Sequence, residues 1–597
     1  MTWSSCAGRQ GTGIDPDEEW HVSTANANKP YQPPYWRYVT VLVAFAVLAG
    51  ALGWRAVDLQ VVRKDFLQHQ GDARHLRVVS DPAHRGMLTD RTGEPLAIST
   101  PVETVWAHPG NLLEAADRLP ELARMLDIDP SALAQRLRQR SGREFVYLRR
   151  HVSPDLAQQV MDLDLPGVAL RREYRRFYPA GEVTGHLLGF TDVDDVGLEG
   201  LELAFESWLR GESGRKRVVQ DRRGRIIEDV EQLREPRPGR DLELSIDRRL
   251  QYLAYRELKA AVNAHDAAGG SLVLMDQHTG EILAMVNQPA FNPNNRAGME
   301  SGSSRNSALV DAWEPGSTIK PFTVAAALDA GSVTPETEID TGPGVIRVGG
   351  HRVRDLRDYG RIDVTEVLSK SSNIGAAKLA LDLEDDALWR LLGRAGFGQR
   401  TGVGFPGEAS GRLASMPSGS EIEQATLAFG YGLSATPLQL TRAYAAIAGD
   451  GTMPLPTFLR SDEAEERERV MSPEAAAAVR GMLEKATISG GTATRAQVPA
   501  YRVAGKTGTV HKSEAGGYAE DRYVAWFSGM APASHPRLVL TVMLDEPRGE
   551  AYYGGQVAAP VFAEVMGGAL RLLNVPPDGL ERTPVPESLT AMGDERQ

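Results

Sequence analysis

Ser317 and Lys320 lie three residues apart in WEPGSTIKPF, residues 313–322. Pro315 and Gly316 signal a turn, and Ser317 falls where a helix N-cap or first turn begins. The run that follows, Ile319 to Leu328, has almost no polar face and predicts a buried helix. Side chains at i and i+3 meet on a helix, about 5–6 Å apart at Cβ. A serine hydroxyl is a weak nucleophile. A lysine can take its proton if burial or a second cation lowers the amine pKa. The pair therefore reads as a Ser–Lys nucleophile. The tetrapeptide alone does not establish this, because Ser213–Gly–Arg–Lys216 repeats it in a strongly charged run. The plain reading of either copy is an N-cap beside a surface lysine.

Two further motifs supply the context. Ser371–Ser–Asn373 falls in a helical region and Lys506–Thr–Gly–Thr509 on a strand. Each has a decoy, Ser304–Arg–Asn306 for the first and His278–Thr–Gly280 for the second. The order S-x-x-K, S-x-N, K-T-G matches the signature of penicillin-binding proteins and class A β-lactamases. Its parts suit separate tasks. Ser317 Oγ attacks an acyl carbonyl, with neutral Lys320 as base. Lys506 is the second cation, lowering the Lys320 pKa and holding an anionic substrate end. Ser371 passes a proton to the departing amine, while Asn373 orients Lys320 and the substrate amide. Gly508 leaves room for substrate to lie along the strand, and Thr507 and Thr509 offer hydroxyls to a carboxylate. Backbone N–H groups of Ser317 and Thr509 form the expected oxyanion hole.

These residues need a scaffold, and the sequence from Asp241 onward predicts one. Leu272–Met275 and Ile282–Val286 read as a hairpin, followed by the Ser317 helix and an Ala/Leu-rich helical region to about Ala448. Three strand-like runs follow, Tyr501–Thr509, Arg522–Ser528 and Leu538–Leu544, and Ala558–Leu573 closes as a helix. Strands at both ends of a helical middle imply one sheet built from distant segments, with helices packed around it. Asp65 to about Gly239 is mixed and holds no nucleophile–base set, so it reads as a structural or docking module. In it, Arg85, Asp90 and Arg91 lie in a strand–turn–strand, as internal salt bridges or as contacts between the two domains. Glu231–Arg240 reads as a linker.

A chain of 597 residues is too long for one core and predicts several domains. Its net charge of −13 argues against nucleic acid as a partner. Cys6 is the only cysteine, which excludes an intramolecular disulfide and a cysteine metal site. No histidine spacing suggests a ligand set, so an enzyme without metal or cofactor is expected. Tyr38–Trp54 is an uncharged apolar run with aromatic residues at both ends, the short limit of a membrane span. Ala49–Gly–Ala51 resembles a signal cleavage site, but the leader before it is long, which favours an uncleaved anchor. Lys29 and Arg37 precede the span, while Arg55, Arg63, Lys64 and Arg74 follow it. That count points away from export of the C-terminal bulk.

A wider resemblance runs through RGMLTDRTGEPLA at 85–97, YPAGEVTGHLLGFTDVDDVGLEG at 178–200, GGSLVLMDQHTGEILAM at 269–285, FGYGLSATPLQL at 429–440 and YYGGQVAAPVF at 552–562. With the three motifs, these resemble the class B penicillin-binding proteins, most of all the septal peptidoglycan D,D-transpeptidases (FtsI type) of Gram-negative bacteria. Trp313, where Phe or Tyr is usual, and Val510 after the KTGT are small departures. The resemblance implies a multi-domain α/β chain. Its transpeptidase domain, of the serine β-lactamase-like fold, has an antiparallel sheet flanked by helices. A mixed α+β pedestal and one N-terminal transmembrane helix precede it. The expected divisions are a cytoplasmic tail at 1–37, the anchor at 38–54, the pedestal at 55–239, the transpeptidase domain at 240–577 and a polar tail at 578–597. The implied location is the inner membrane, single-pass, with the catalytic domain in the periplasm, which overrides the charge count.

The implied substrate is the pentapeptide stem of peptidoglycan, cross-linked through a serine acyl-enzyme that β-lactams also form. The implied partners are a SEDS-type glycosyltransferase and other divisome membrane proteins. No glycosyltransferase activity is expected of the chain itself. The competing readings are a β-lactamase or D,D-carboxypeptidase, an elongation-type relative, and a β-lactam sensor or divisome scaffold.

Overall fold

The computed structural model describes residues 34–64, 76–220, 226–297, 299–300, 302–415, 420–461, 467–514 and 517–579. The two expected tails, 1–37 and 578–597, lie almost wholly outside the described residues. The chain divides into two units, Met1–Leu76 and Arg77–Gln597.

The first unit holds helix α1, Tyr35–Val57, which continues in a wider winding through Val62. No residue of it is buried. It is long and apolar enough to cross a membrane. The helix outruns the expected span at both ends. At its C-terminal end Asp58 pairs with Arg55 at 2.9 Å and Arg63 at 3.0 Å, so charged residues continue the winding.

The second unit begins with a pedestal. Strand β1 (Leu88–Thr89) pairs with β2 (Pro95–Ala107), which in turn pairs antiparallel with β3 (Val146–Val152) and β4 (Val168–Phe177). Val105, Leu122, Leu133, Leu148 and Val160 form its core. Beside it lies a buried ion cluster. Arg85 pairs with Glu202 at 2.7 Å and Glu206 at 2.6 Å, and Arg176 pairs with Glu202 at 2.6 Å. Arg85 is thus an internal residue of the pedestal. Its neighbours reach further. Asp90 Oδ1 closes its own turn by accepting from the Thr92 and Glu94 N–H groups, while Oδ2 accepts from Arg248 N at 3.1 Å. Arg91 pairs with Glu281 at 3.4 Å.

The expected linker Glu231–Arg240 is strand over its first part. β5 (Gly214–Gln220) and β6 (Ile226–Arg234) form an antiparallel pair in which Lys216 meets Asp229 at 3.1 Å and Arg217 meets Glu231 at 2.7 Å. An exposed ladder of opposite charges carries no apolar alternation, so it reads as linker in sequence.

Strand β7 (Leu242–Glu243) runs parallel to β1, and helix α2 (Arg248–Ala264) opens the catalytic part. Its sheet combines β8 (Gly269–Asp276) and β9 (Ile282–Gln288) with three late strands. Before those come helix α3 (Lys320–Asp329), the hairpin β10 (Val345–Val348) and β11 (His351–Arg354), and helices α4 (Asn373–Leu381), α5 (Pro437–Ala448) and α6 (Pro473–Thr487). The late strands are β12 (Ala504–Glu514), β13 (Gly517–Ala531) and β14 (Leu538–Asp545), and α7 (Gly554–Leu572) follows. The order across the sheet is β9-β8-β14-β13-β12, antiparallel throughout.

Both faces are covered, so the strands read as continuous apolar runs. Ala525 and Phe527 of β13 pack with Leu250 of α2 and Phe562 of α7. Val524 and Trp526 turn to the opposite face, with Phe322 of α3, Tyr444 of α5 and Val479 of α6. Every residue from Lys320 to Ala327 is buried, as a helix without a polar face requires.

Candidate active site

Ser317 sits on a single tight turn, Gly316–Ile319, and α3 starts only at Lys320, with Pro321 in its first turn. The serine is therefore not an N-cap. Thr318 Oγ1 donates to Pro315 O at 2.8 Å and tightens the turn. Two buried aromatic donors pin the backbone on either side of Ser317. Trp526 Nε1 donates to Glu314 O at 3.1 Å and Tyr444 OH to Thr318 O at 2.8 Å.

Strand alternation places Lys506 on the same face of β12 as Ala504 and Val510, which join the core of α3. Gly508 shares that face. A Cβ there would stand 2.7 Å from Pro315 O and 3.0 Å from Thr318 Cγ2. The glycine thus admits the Ser317 turn against the strand, a reason internal to the protein and distinct from the expected space for substrate. Thr507 and Thr509 turn the other way. Thr507 Oγ1 donates to Thr492 Oγ1 at 3.4 Å, and Thr509 Oγ1 accepts from Gly554 N at 2.9 Å, at the start of α7. As an acceptor there, the Thr509 hydroxyl keeps its own proton free to donate.

Ser371 lies in a turn just before a helix, with φ of +61°. Ser372 is the N-cap of α4, and its Oγ accepts from Gly375 N at 2.9 Å. A left-handed non-glycine residue costs about 1–2 kcal/mol and needs surrounding structure to hold it. Asp355 provides that hold. Its carboxylate accepts from Ser372 Oγ at 2.6 Å, Asn373 N at 2.5 Å and Ile374 N at 3.0 Å. No local pattern in the sequence marks Asp355, a cap supplied from 17 residues upstream.

The two lysines are fully buried. Lys320 Nζ donates to Ser371 O at 2.6 Å, Asn373 Oδ1 at 2.7 Å and Ser371 Oγ at 3.1 Å. Lys506 Nζ donates to the same Ser371 Oγ at 2.9 Å and to Thr507 O at 3.2 Å. Burial holds the Lys320 amine well below the ordinary lysine range, and the Lys506 charge lowers it further, against a small opposing pull from Asp355. Burial brings Lys506 down to about 7. Asn373 is fixed at its other end as well, since Nδ2 donates to Arg354 O at 2.9 Å.

Lys320, Ser371, Asn373 and Lys506 meet through these hydrogen bonds, and Ser317 lies on the turn that leads into Lys320. Among the described residues, Lys320 Nζ makes no hydrogen bond to Ser317 Oγ, the looser arrangement common before substrate binds. The decoys stay outside. Lys216 is on β5, paired with Asp229, Thr279 closes a turn on to Glu281, and Asn306 is bonded to Asn287 at 2.7 Å. Among the described residues no three His, Cys, Asp or Glu side chains cluster as metal ligands.

The penicillin binding protein transpeptidase domain model matches residues 270–567, and the penicillin-binding protein dimerisation domain model matches 80–244. The chain is 43% identical over 554 residues to the peptidoglycan D,D-transpeptidase FtsI of Escherichia coli (strain K12), covering 91% of this chain and 93% of that one. This chain belongs to the FtsI-type peptidoglycan D,D-transpeptidases. Solved members of the wider penicillin-binding group share the fold. The transpeptidase domain of Burkholderia pseudomallei penicillin-binding protein 3 is 44% identical, with a TM-score of 0.52 over 56% of this chain and 97% of its own. Penicillin-binding protein 3 of Mycobacterium tuberculosis, complexed with aztreonam, is 28% identical, with a TM-score of 0.65 over 84% of this chain and 98% of its own. The FtsI-type match thus spans pedestal and catalytic part together.

Proposed function

We propose that Ser317 is the acylated residue of this serine-type D,D-transpeptidase and that Lys320 is its base. The observation carrying this reading is the Lys320 amine, fully buried, held by Asn373 Oδ1 and Ser371 O, and three residues from Ser317. A buried amine next to a second cation is neutral near pH 7, as a base must be. Ser317 Oγ attacks the penultimate D-Ala carbonyl of a stem pentapeptide and yields its proton to Lys320 Nζ. The tetrahedral oxyanion takes hydrogen bonds from the Ser317 and Thr509 backbone N–H groups. Its collapse breaks the peptide bond, and Ser371 Oγ, bonded to both lysines, passes the proton to the leaving D-Ala amine. An amine of a neighbouring stem then attacks the acyl ester, its proton returns through Lys320 to Ser317, and the cross-link is complete. Protonated Lys506, with Thr507 and Thr509, holds the substrate's terminal carboxylate. A β-lactam acylates Ser317 by the same first step.

In the cell this chemistry belongs to the division septum. The α1 helix serves as an uncleaved single-pass anchor in the inner membrane, with residues 1–37 cytoplasmic and the remainder periplasmic. The pedestal, 55–239, carries the transpeptidase domain, 240–577, and docks a SEDS-type glycosyltransferase and other divisome proteins. The test is a reaction of the full chain with a pentapeptide donor and an amine acceptor. One D-Ala released per cross-link formed, and neither with Ser317→Ala, supports the reading. D-Ala release without any cross-link marks a carboxypeptidase and contradicts it.

A further inference from the structure

The β10–β11 hairpin turns through Gly349–Gly350, with φ of +55° and +83°, the left-handed pair that a two-residue I′ turn demands. Alternation then divides its side chains. Ile346, Val348 and Val353 face inward on to Ile374, Ala377, Ala425 and Phe429, which fastens the hairpin to α4. Arg347, Arg352 and Arg354 fall on the other face, all exposed. Arg347 and Arg352 stand directly opposite each other across the two strands, about 4.5–5.5 Å apart at Cβ, and like charges so placed destabilise a hairpin. Arg354 follows about 7 Å further along the strand.

Among the described residues none of these three, nor Arg357 just beyond, forms an ion pair. The helix Glu421–Leu427 packs beneath the inner, apolar face of the hairpin through Ile422, and neither Glu421 nor Glu423 in its first turn pairs with any of them among the described residues. On a chain of net charge −13, a row of uncompensated arginines on a fold that gains nothing from them points to an anion from outside. The row also ends at the catalytic centre. Arg354 O accepts from Asn373 Nδ2, and Asp355, the next residue, holds the Ser371–Asn373 turn.

We propose that the outer face of this hairpin binds carboxylates of the peptidoglycan strand whose peptide is reacting at Ser317, so that the enzyme grips the polymer as well as the reacting stem. The inference rests on the transpeptidase reading above. Peptidoglycan is favoured over an acidic protein because the row is continuous with the site, and a polymer reacting there brings a peptide carboxylate with each stem it carries.

The test compares the full chain in detergent with its Arg347→Gln/Arg352→Gln variant. Binding to isolated peptidoglycan sacculi is measured by co-sedimentation at low and high salt, with sacculi whose carboxylates have been amidated as control. Losing two exposed charges is expected to weaken binding about fivefold or more at low salt and little at high salt. Amidated sacculi should bind the wild type as weakly as native sacculi bind the variant. The variant's benzylpenicillin acylation rate should equal wild type and its melting temperature should be unchanged or raised. Equal binding by both proteins overturns the proposal, as does undiminished binding to amidated sacculi. So does a loss seen only on phosphatidylglycerol-containing vesicles sedimented in parallel and not on sacculi. Loss of acylation by the wild type itself would instead strike the transpeptidase reading, so the two failures are distinguishable.

Discussion

Lys320 and Lys506 reach the same oxygen: Ser371 Oγ lies 3.1 Å from the first amine and 2.9 Å from the second. A hydroxyl can accept from both and still donate its own proton. Two cations cannot share a dry site cheaply, and the burdens differ. Lys506 is lowered by burial to about 7, whereas Lys320 is lowered by burial and by the Lys506 charge as well. In the reaction proposed above, the proton therefore resides on Lys506, which leaves Lys320 as the base.

That division of labour predicts unequal losses. Lys320→Ala should reduce the second-order acylation rate by about a hundredfold or more, the range for removing a base from the chemical step. Lys506→Ala should lose less, and mainly in binding. Stopped-flow acylation of both variants with one penicillin checks this. Equal losses would mean that the two amines share the role.

A buried lysine also bears on stability. Lys506 has a pKa of about 7 in the folded protein, against about 10.4 for a lysine in an unfolded chain. Between those values the unfolded chain binds more protons, so this residue makes stability rise with pH over that window. Lys506→Met should be more stable than wild type by about 1–3 kcal/mol near pH 7. The gap should close as pH approaches 10. Denaturant melts at pH 7 and pH 9.5 measure it, and a constant gap would refute the assignment.

Asp355 acts as a positioning residue through the turn, accepting from Ser372, Asn373 and Ile374. Asp355→Ala leaves the N–H groups of Asn373 and Ile374 without their acceptor and releases the left-handed Ser371. The expected result is an acylation rate reduced about tenfold or more, with a stability loss of about 1–3 kcal/mol. The decisive readout is the rate constant at saturating penicillin. It should fall while half-saturation changes little, a split that simple destabilisation does not produce.

The sequence made the parts legible more readily than their assembly. The strands of the central sheet and helices α3 and α7 declare themselves by apolar runs of the right length. The three motifs declare themselves by order. What stayed hidden is long-range. Ser371 reads as helical, yet it lies in a turn before α4 that Asp355 fixes through Ser372 and Asn373. Gly508 reads in sequence as space for substrate, and the structure adds a second reason for the glycine, the close approach of Pro315 O. Glu231–Arg234, the end of strand β6, reads as linker because its exposed charges follow no apolar period. In each case the deciding contact comes from outside the residue's own element, where a local pattern does not reach.

Arg85 was open between a docking role and an internal one, and its pairing with Glu202 and Glu206 decides for the pedestal interior. Arg85→Ala leaves the fully buried Glu202 with Arg176 as its sole ion-pair partner among the described residues. A loss of about 3 kcal/mol is expected, the low end for breaking a buried pair, because one partner remains. Thermal melts check this, and the acylation rate of the folded fraction should match wild type. A stable variant would return the residue to a docking role.

Whether acylation passes through Ser317 is read from intact-mass spectrometry after benzylpenicillin treatment. Wild type and Ser213→Ala, the variant of the decoy motif, should each gain one penicilloyl adduct that persists for many minutes. Ser317→Ala, whose substitution leaves the buried face of α3 intact, should fold normally and gain none. A surviving adduct on Ser317→Ala, or loss of the adduct in Ser213→Ala, would contradict the account.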